Sequence, residues 1–589
     1  MSTEDYRLSK EDPDGTCFSC STNLDGSRLF TNFRVCHMCG HHFHLSGAQW
    51  ANFLLDKDSF QEDDYTVSGL DPISFGGPRN YRQNVLDAQR KTGLSEAAFT
   101  GHGTFFGNEV VFAALDFSFL GGSTGIVSGE RLARAFERAA DRQAPLVTVL
   151  STSGTRMREG LLALMQIPRV IVARQKLSRR RVPHIAVLAD PTTGSSYAGF
   201  VNLADYIIAE PNALIGFSAL RSISEREAVP EGAHTAESHL RNGLIDAIVS
   251  RHELQPFLGQ ILDLLTSSYE LRMKERLDTA PRDFSSLEAW RTVQLSRHSN
   301  RPSTYELIQR MATVYVEIHG DRSGSDDSAI TAGFGLVGGE AVVIVGQVRP
   351  SEEAPKSGYI SAGGFRKARR AMVLAQKFNL PLITFLDTKG ADPSLAAEED
   401  GIAAALTRCT ETMLALKVPT LAVVTGEANA ESAVSMGVAD RVLMLQHSIY
   451  GVIAPEDAAK ILYRDISQAD EVAESLRITA SDCYDLEIAD EIIQEPDEGA
   501  HTDHQEAAYF LRRALVRHLV ELTDQRTSDR LAARRKRYRS MGNSSSLVRN
   551  VTERSVGKFL ERLEEYFPRR KKTTKRPAEE YTDRSEIPF

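Results

Sequence analysis

The chain repeats itself, and that repeat limits its possible folds more than any single motif. Residues Glu130–Gln143 carry helical periodicity and run into Ala144-Pro145-Leu146-Val147-Thr148-Val149-Leu150-Ser151-Thr152-Ser153-Gly154. Residues Gly364–Asn379 do the same and run into Leu380-Pro381-Leu382-Ile383-Thr384-Phe385-Leu386-Asp387-Thr388-Lys389-Gly390. Pro, Leu, Thr, Leu, Thr and Gly recur at an offset of 236, and Ala204-Asp205 ahead of Gly216 matches Ala439-Asp440 ahead of Gly451 at an offset of 235. One such match can arise between any two βα units; two in the same order at nearly the same offset mark a duplication. Each half reads as helix, buried strand, glycine turn, helix. Ile185–Leu188, Tyr206–Ala209, Leu421–Thr425 and Arg441–Leu445 are apolar runs of strand length. Helices alternating with strands predict an α/β fold with parallel sheets covered by helices.

The 589 residues leave room for more than these two halves. The expected divisions are residues 1–45, a first repeat over 46–280, a polar helical linker over 281–302, a second repeat over 303–542, and a tail over 543–589. In the tail, Leu547–Phe567 reads as an amphipathic helix and Pro568–Phe589 as a disordered polar end. Apolar residues make up 42% and charged residues 25%, the balance of a soluble globular protein. No apolar run approaches the roughly 18 residues that span a bilayer, and Met1–Asp14 is too polar and acidic for a targeting segment. A cytoplasmic protein is expected. The net charge of −10 argues against nucleic acid as the main partner. Arg179-Arg180-Arg181, Arg534-Arg535-Lys536-Arg537 and Arg569-Arg570-Lys571-Lys572 are read as solvated basic stretches.

Cys17-Phe18-Ser19-Cys20 and Cys36-His37-Met38-Cys39 are two CxxC pairs separated by 15 residues. Each pair aims two thiolates at one point, and two pairs complete the tetrahedral sulfur shell that Zn²⁺ prefers. A zinc ribbon with one structural ion is expected, closed to an activated water because protein fills all four positions. His41, His42 and His44 are read as surface or packing residues.

The strand-to-turn junctions collect glycines: Gly121-Gly122-Ser123-Thr124-Gly125, Gly154, Thr193-Gly194-Ser195 and Gly390-Ala391. Glycine admits positive φ and close approach, and backbone N–H groups at such turns stabilise an anion. This is the equipment of an oxyanion hole. The chain carries no GxxxxGK[ST] loop and no HExxH. Amide holes without an evident side-chain nucleophile suit reactions through thioester enolates.

These residues resemble the carboxyltransferase component of bacterial acetyl-CoA carboxylase, with beta and alpha subunits fused in that order. The beta-like part carries the ribbon, Lys91-Thr92-Gly93-Leu94, Gly121-Gly122-Ser123-Thr124-Gly125, Arg156-Met157-Arg158-Glu159-Gly160, Pro191-Thr192-Thr193-Gly194 and Glu210-Pro211-Asn212-Ala213-Leu214-Ile215-Gly216-Phe217. The alpha-like part carries Glu317-Ile318-His319-Gly320-Asp321-Arg322, Gly364-Phe365-Arg366-Lys367-Ala368, Gly390-Ala391, Ala397-Glu398-Glu399, Ile453-Ala454-Pro455-Glu456 and Gly499-Ala500-His501. The resemblance implies two crotonase/ClpP-like ββα-superhelix domains behind the zinc ribbon. It implies transfer of a carboxyl group to acetyl-CoA or a related short acyl-CoA, a step of fatty acid biosynthesis. The donor is carboxybiotin on a separate biotin carboxyl carrier protein, charged by a separate biotin carboxylase. It implies a head-to-tail homodimer. The implied hole residues are Gly121, Gly122, Gly154, Gly194, Ser195, Gly390, Ala391, Glu431 and Ser432, with Arg156, Arg366, Lys367 and Lys389 as contacts to the cofactor portion of the substrates.

The sequence departs from the family at the turns. Ser153-Gly154-Thr155-Arg156-Met157 is one glycine short of Ser-Gly-Gly-Ala-Arg-Met, and Thr192-Thr193-Gly194-Ser195 ends in serine. Gly426-Glu427-Ala428-Asn429-Ala430-Glu431-Ser432 replaces Gly-Glu-Gly-Gly-Ser-Gly-Gly. A Glu431 carboxylate about 4 Å from an enolate would cost roughly 4 kcal/mol, about a thousandfold in rate; aimed at solvent, it would cost little. Two other classes therefore stand beside the enzyme: a weakened paralogue that binds acyl-CoA or a sister subunit, and a nucleic-acid-binding ribbon protein.

Overall fold

Residues 15–67, 71, 73, 75, 80–217, 230, 232–266, 287–349 and 358–541 are described by a computed structural model. The expected helix Leu547–Phe567 and the tail after it lie outside these residues. The chain up to Leu531 forms one compact unit, and Ala532 onward belongs to a second.

In the first unit the duplication becomes two lobes. Lobe 1 opens with the antiparallel hairpin β1 (Ala98–Phe105) and β2 (Asn108–Leu115); helix α1 (Ile126–Arg142) then crosses to β3 (Leu146–Thr152). Strand β4 (His184–Thr193), the short helix α2 (Ser195–Ala198), β5 (Tyr206–Ala209) and β6 (Ala247–Ile248) continue the sheet in parallel. Helix α3 (Ala289–Ser296) follows, and lobe 2 repeats the plan. It has a hairpin β7 (Ile330–Val337) and β8 (Glu340–Gln347), helix α4 (Ala362–Phe378), then β9 (Leu382–Thr388) and β10 (Thr420–Asn429). Helix α5 (Ala430–Gly437), β11 (Arg441–Leu445), helix α6 (Pro455–Tyr463) and β12 (Glu491–Ile493) complete it. With the short strands Gln61–Asp63 and Ile215–Gly216 in lobe 1, and Ala312–Glu317 and Ile449–Gly451 in lobe 2, each lobe holds an eight-stranded sheet.

The likeness extends to single atoms. Helices α1 and α4 each have 17 residues and end in left-handed caps, at Gln143 (φ 55°) and Asn379 (φ 57°). The Asp205 carboxylate accepts the His184 N–H at 2.9 Å, and Asp440 accepts the Thr420 N–H at 2.9 Å. The β3/β4 register slips between Leu150 and Thr152, and the β9/β10 register slips between Leu386 and Thr388. A bulge there bends each strand end toward its turn. The cores follow the periodicity: α1 lays Leu132, Phe136 and Ala140 against Leu146, Leu150 and Leu188. Truncating Phe136 to Ala would cost about 3–5 kcal/mol.

The segment read as a linker is part of lobe 2, because Ala289 and Val293 of α3 are buried with Ile449, Ala473 and Ile478. The lobes meet through charge. Lys377 on α4 binds Asp205 at 2.5 Å, and Arg370 binds Asp246 at 2.9 Å, where Arg322 also pairs. Gly243 and Gly320, both left-handed, pack so tightly that a side chain on Gly320 would overlap the Gly243 backbone. The ribbon docks on lobe 1 through buried Arg251. Its guanidinium binds Glu210 (2.7 Å) and the carbonyls of Phe33 (2.9 Å) and Phe43 (3.0 Å), above the Trp50 ring. His42 and His44 pack here, His42 accepting the Arg251 N–H and His44 facing Asp116. No helix among the described residues is long and apolar enough to cross a membrane.

Candidate active site

In lobe 1 three loops converge where β3 and β4 end. Gly121 (φ 69°) accepts the Ser153 N–H at 2.9 Å, and Gly154 (φ 99°) accepts the Thr124 N–H at 2.7 Å. A Cβ on Gly194 (φ 75°) would lie 2.9 Å from the Gly154 Cα. A Cβ on Gly122 would overlap the Ser151 carbonyl. Behind the turns, the Ser196 hydroxyl meets Thr124 Oγ1 at 2.7 Å.

Lobe 2 places Gly390 (φ 139°) where lobe 1 has Gly154, 236 residues earlier. At the position of Gly194 stands Ala430, held at φ 56°. Left-handed backbone costs a residue with a Cβ roughly 1–2 kcal/mol. Family glycines pointed to Glu431 and Ser432 as the altered positions; the strained position is Ala430.

The glycines shape these turns more than they donate. The Gly154 N–H donates to Thr152 Oγ1 (3.0 Å), the Gly390 N–H to Thr388 Oγ1 (3.1 Å), and the Gly194 N–H to the Gly216 carbonyl (2.9 Å). Ala391 pairs with Ile360 in a two-stranded ladder. First-turn N–H groups of a helix lack an intrahelical acceptor; at these turns they are those of Ser195 and Ser196 on α2 and of Glu431 and Ser432 on α5. No side chain caps either helix. The Glu431 side chain is exposed, whereas Ser432 is buried with its carbonyl fixed by Gln347 Nε2 at 3.1 Å.

The expected cofactor contacts divide. Arg156 is buried, and its guanidinium donates to Glu96 (2.5 and 3.0 Å), Glu159 (3.1 Å) and the Ser123 carbonyl (2.8 Å). Burial alone would lower its pKa, but Glu96 reverses that and holds it raised. Its donors are spent inside lobe 1, so a phosphate contact is ruled out by geometry. Lys367 is likewise buried and tied to Asp326 at 2.8 Å. Arg366 is half-buried between Asp321 (2.6 Å) and Asp400 (3.0 Å), while Lys389 is exposed beside Gly390. Spacing and charge could not separate these cases, because each depends on acidic partners distant in sequence.

Each lobe also buries one carboxyl at its strand ends. Asp190 on β4 accepts the Leu214 N–H at 2.8 Å, and burial pushes it up to about 6. In lobe 2 the matching position is Gly426, and Asp387 of the neighbouring strand fills the space a side chain would take there. Burial raises Asp387 too, against the pull of Arg349 at 2.6 Å.

In the ribbon the four cysteine Sγ atoms lie within 4.8 Å of one another, with Cys17–Cys39 at 3.8 Å and Cys20–Cys36 at 3.7 Å. Tetrahedral Zn–S bonds of about 2.3 Å set sulfur edges of about 3.8 Å, so the donor set fits one zinc ion.

A sequence profile for the family described as acetyl co-enzyme A carboxylase carboxyltransferase-like matches residues 260–542. Acetyl-coenzyme A carboxylase carboxyl transferase subunits beta/alpha of Natranaerobius thermophilus is 36% identical over 559 residues, covering 90% of this chain and 92% of that protein. The protein of the same name from Saccharopolyspora erythraea is 38% identical over 534 residues, covering 90% and 94%. Among solved structures, transcarboxylase 12S superposes with a TM-score of 0.66 at 21% identity, covering 82% of this chain and 91% of that one.

Proposed function

Because the chain belongs to the acetyl-CoA carboxylase carboxyltransferase family, with beta and alpha parts fused, we propose that it moves a carboxyl group from carboxybiotin on a separate carrier protein to acetyl-CoA, giving malonyl-CoA. The observation that carries this reading is the recurrence, in both lobes, of two strand-end turns converging beside an uncapped helix start.

The carrier-bound group supplies CO2 and, having lost it, the base for the thioester α proton. The C–H pair then delocalises onto the thioester oxygen, and the enolate carbon bonds to CO2. The chain's part is electrostatic. The Ser195 and Ser196 amides on one side, and the Glu431 and Ser432 amides on the other, face the two oxygens that gain charge, with the helix dipole in support. The Glu431 side chain is exposed to solvent, which screens its charge. Lys389 offers a cation for a phosphate of CoA. One Zn²⁺ on Cys17, Cys20, Cys36 and Cys39 braces the ribbon.

A head-to-tail dimer, the assembly proposed here, is supported by where the lobes touch. Within one chain, lobe 2 binds lobe 1 through Asp205 and Asp246, at the starts of β5 and β6. The turns lie at the opposite, C-terminal strand ends, which leaves them free of the contact between the lobes. Apolar side chains stand exposed beside both: Met157 (85%) and Leu161 (68%) in lobe 1, Val452 (71%) and Ile461 (70%) in lobe 2. The test is to incubate the pure protein with carboxybiotin carrier and acetyl-CoA and follow product by mass. Malonyl-CoA is expected; a charged carrier that yields none overturns the reading.

A further inference from the structure

The lobe-2 turn is gripped by a side chain from the segment between the lobes. Arg297, just after α3, donates from Nε and Nη2 to Glu427 at 2.8 and 2.5 Å, and from Nη1 and Nη2 to Glu456 at 2.5 and 3.2 Å. Glu427 lies on β10, three residues before the strained Ala430. Its carboxylate also takes the Asn429 amide at 2.8 Å, and its N–H donates to Asp387 at 3.1 Å, at the end of β9. Glu456 opens α6, the helix whose far end exposes Ile461, Leu462 and Tyr463. One guanidinium therefore joins both turn-bearing strand ends to the helix carrying the apolar ridge.

Lobe 1 has no carboxylate at the matching position: at the offset of 236, Glu427 corresponds to Pro191 and Asn429 to Thr193, and Gly194 stands where lobe 2 has Ala430. The clamp stands in the lobe whose left-handed turn position is alanine rather than glycine. We propose that Arg297 is a positioning residue for the carboxyl transfer, holding Glu427 against the charge of Glu456 so that the Ala430 turn and the α6 ridge keep one geometry. This rests on the function proposed above. Without the guanidinium, two carboxylates that shared one nitrogen face each other. Glu427 retreats and takes Asn429 and the turn with it.

The other charged groups packed here are already engaged. Arg349 holds Asp387, Arg301 holds Glu495 and the Thr425 carbonyl, Glu474 accepts the Ala289 N–H, and His298 stacks on His501 at 4.1 Å. The test compares Arg297→Gln with Arg297→Gln/Glu456→Gln. At pH 8 the single variant loses about tenfold or more in kcat with KM for acetyl-CoA within about threefold, and the loss shrinks toward pH 5.5 as the two carboxylates share a proton. The double variant, relieved of one charge, recovers to within about threefold of wild type and loses that pH dependence. A double variant no better than the single one overturns the proposal, because a mere brace predicts additive damage. Failure of both variants to fold would make Arg297 a folding brace and also overturn it.

Thermal unfolding reads the clamp without turnover. In the single variant a carboxyl raised in the fold loses stability as pH climbs from 5.5 to 8, and the double variant shows no such slope. If wild type makes no malonyl-CoA while this contrast holds, the proposed reaction falls and the clamp survives as a feature of the fold. If wild type is active and the contrast is missing, the clamp falls alone.

Discussion

Both lobes brace their turn with one arginine between two glutamates, but they do so at different depths. In lobe 1, Arg156 joins Glu96 and Glu159 with all three side chains at most 4% exposed, and Glu159 also receives the Tyr81 hydroxyl at 2.5 Å. Its turns have glycine at the left-handed positions 121, 122, 154 and 194. In lobe 2, Arg297 joins Glu427 and Glu456 with the arginine 29% exposed, and its turn carries Ala430 in a conformation that favours glycine. The buried triad is a condition of folding. The shallower one is expected to tolerate substitution with the fold intact, which makes it a place where geometry for catalysis can be tuned.

The largest effect that tests this contrast is Arg156→Met. It strands two buried carboxylates and is expected to destabilise lobe 1 by about 3–5 kcal/mol, read from the midpoint of denaturant unfolding. A change under 1 kcal/mol would mean the two triads do the same job. Next comes Gly194→Ala, which puts a Cβ against the Gly154 backbone. Malonyl-CoA formation should fall by about a hundredfold, near 2.7 kcal/mol of barrier, with unchanged circular dichroism.

Asp190 sharpens the comparison through pH. Its folded carboxyl titrates near 6, above the usual carboxylate range, so the folded chain holds that proton to higher pH than the unfolded one. Stability is therefore lost as pH rises from about 4 to 6, and Asp190→Asn should remove a loss of about 2–3 kcal/mol across that window. Paired melting curves at pH 4 and 7 check it. The smallest change is Ala430→Gly, expected to gain about 1 kcal/mol of stability by relieving the left-handed strain. Its companion Glu431→Gly should alter the rate less than about threefold, because an exposed carboxylate is screened.

The duplication, the strands and the cysteine knot were legible in the sequence because each rests on local spacing. Leu146–Thr152 and Leu382–Thr388 became the matching strands that the offset of 236 announced. What spacing could not reach was partnership. Arg156, Lys367 and Lys389 look alike in a string of letters, yet two are buried against acids and one is exposed. The segment 281–302 read as a connector because its apolar positions are few, but two of them, Ala289 and Val293, are enough to seat α3 on lobe 2. The glycine pattern led to Glu431 and Ser432 at the start of α5 but gave no sign that Ala430 before them turns left-handed, because that position follows from β10 ending at Asn429.

The central claim is that one site needs the lobe-1 turn of one copy and the lobe-2 turn of another. Gly194→Ala disables the first turn and Gly390→Ala the second, so the two variants mixed after subunit exchange decide it. Random pairing yields mixed dimers in which one of two sites has both turns intact, and the account predicts about a quarter of wild-type malonyl-CoA formation from two nearly inactive parents. A mixture no more active than its parents would contradict it.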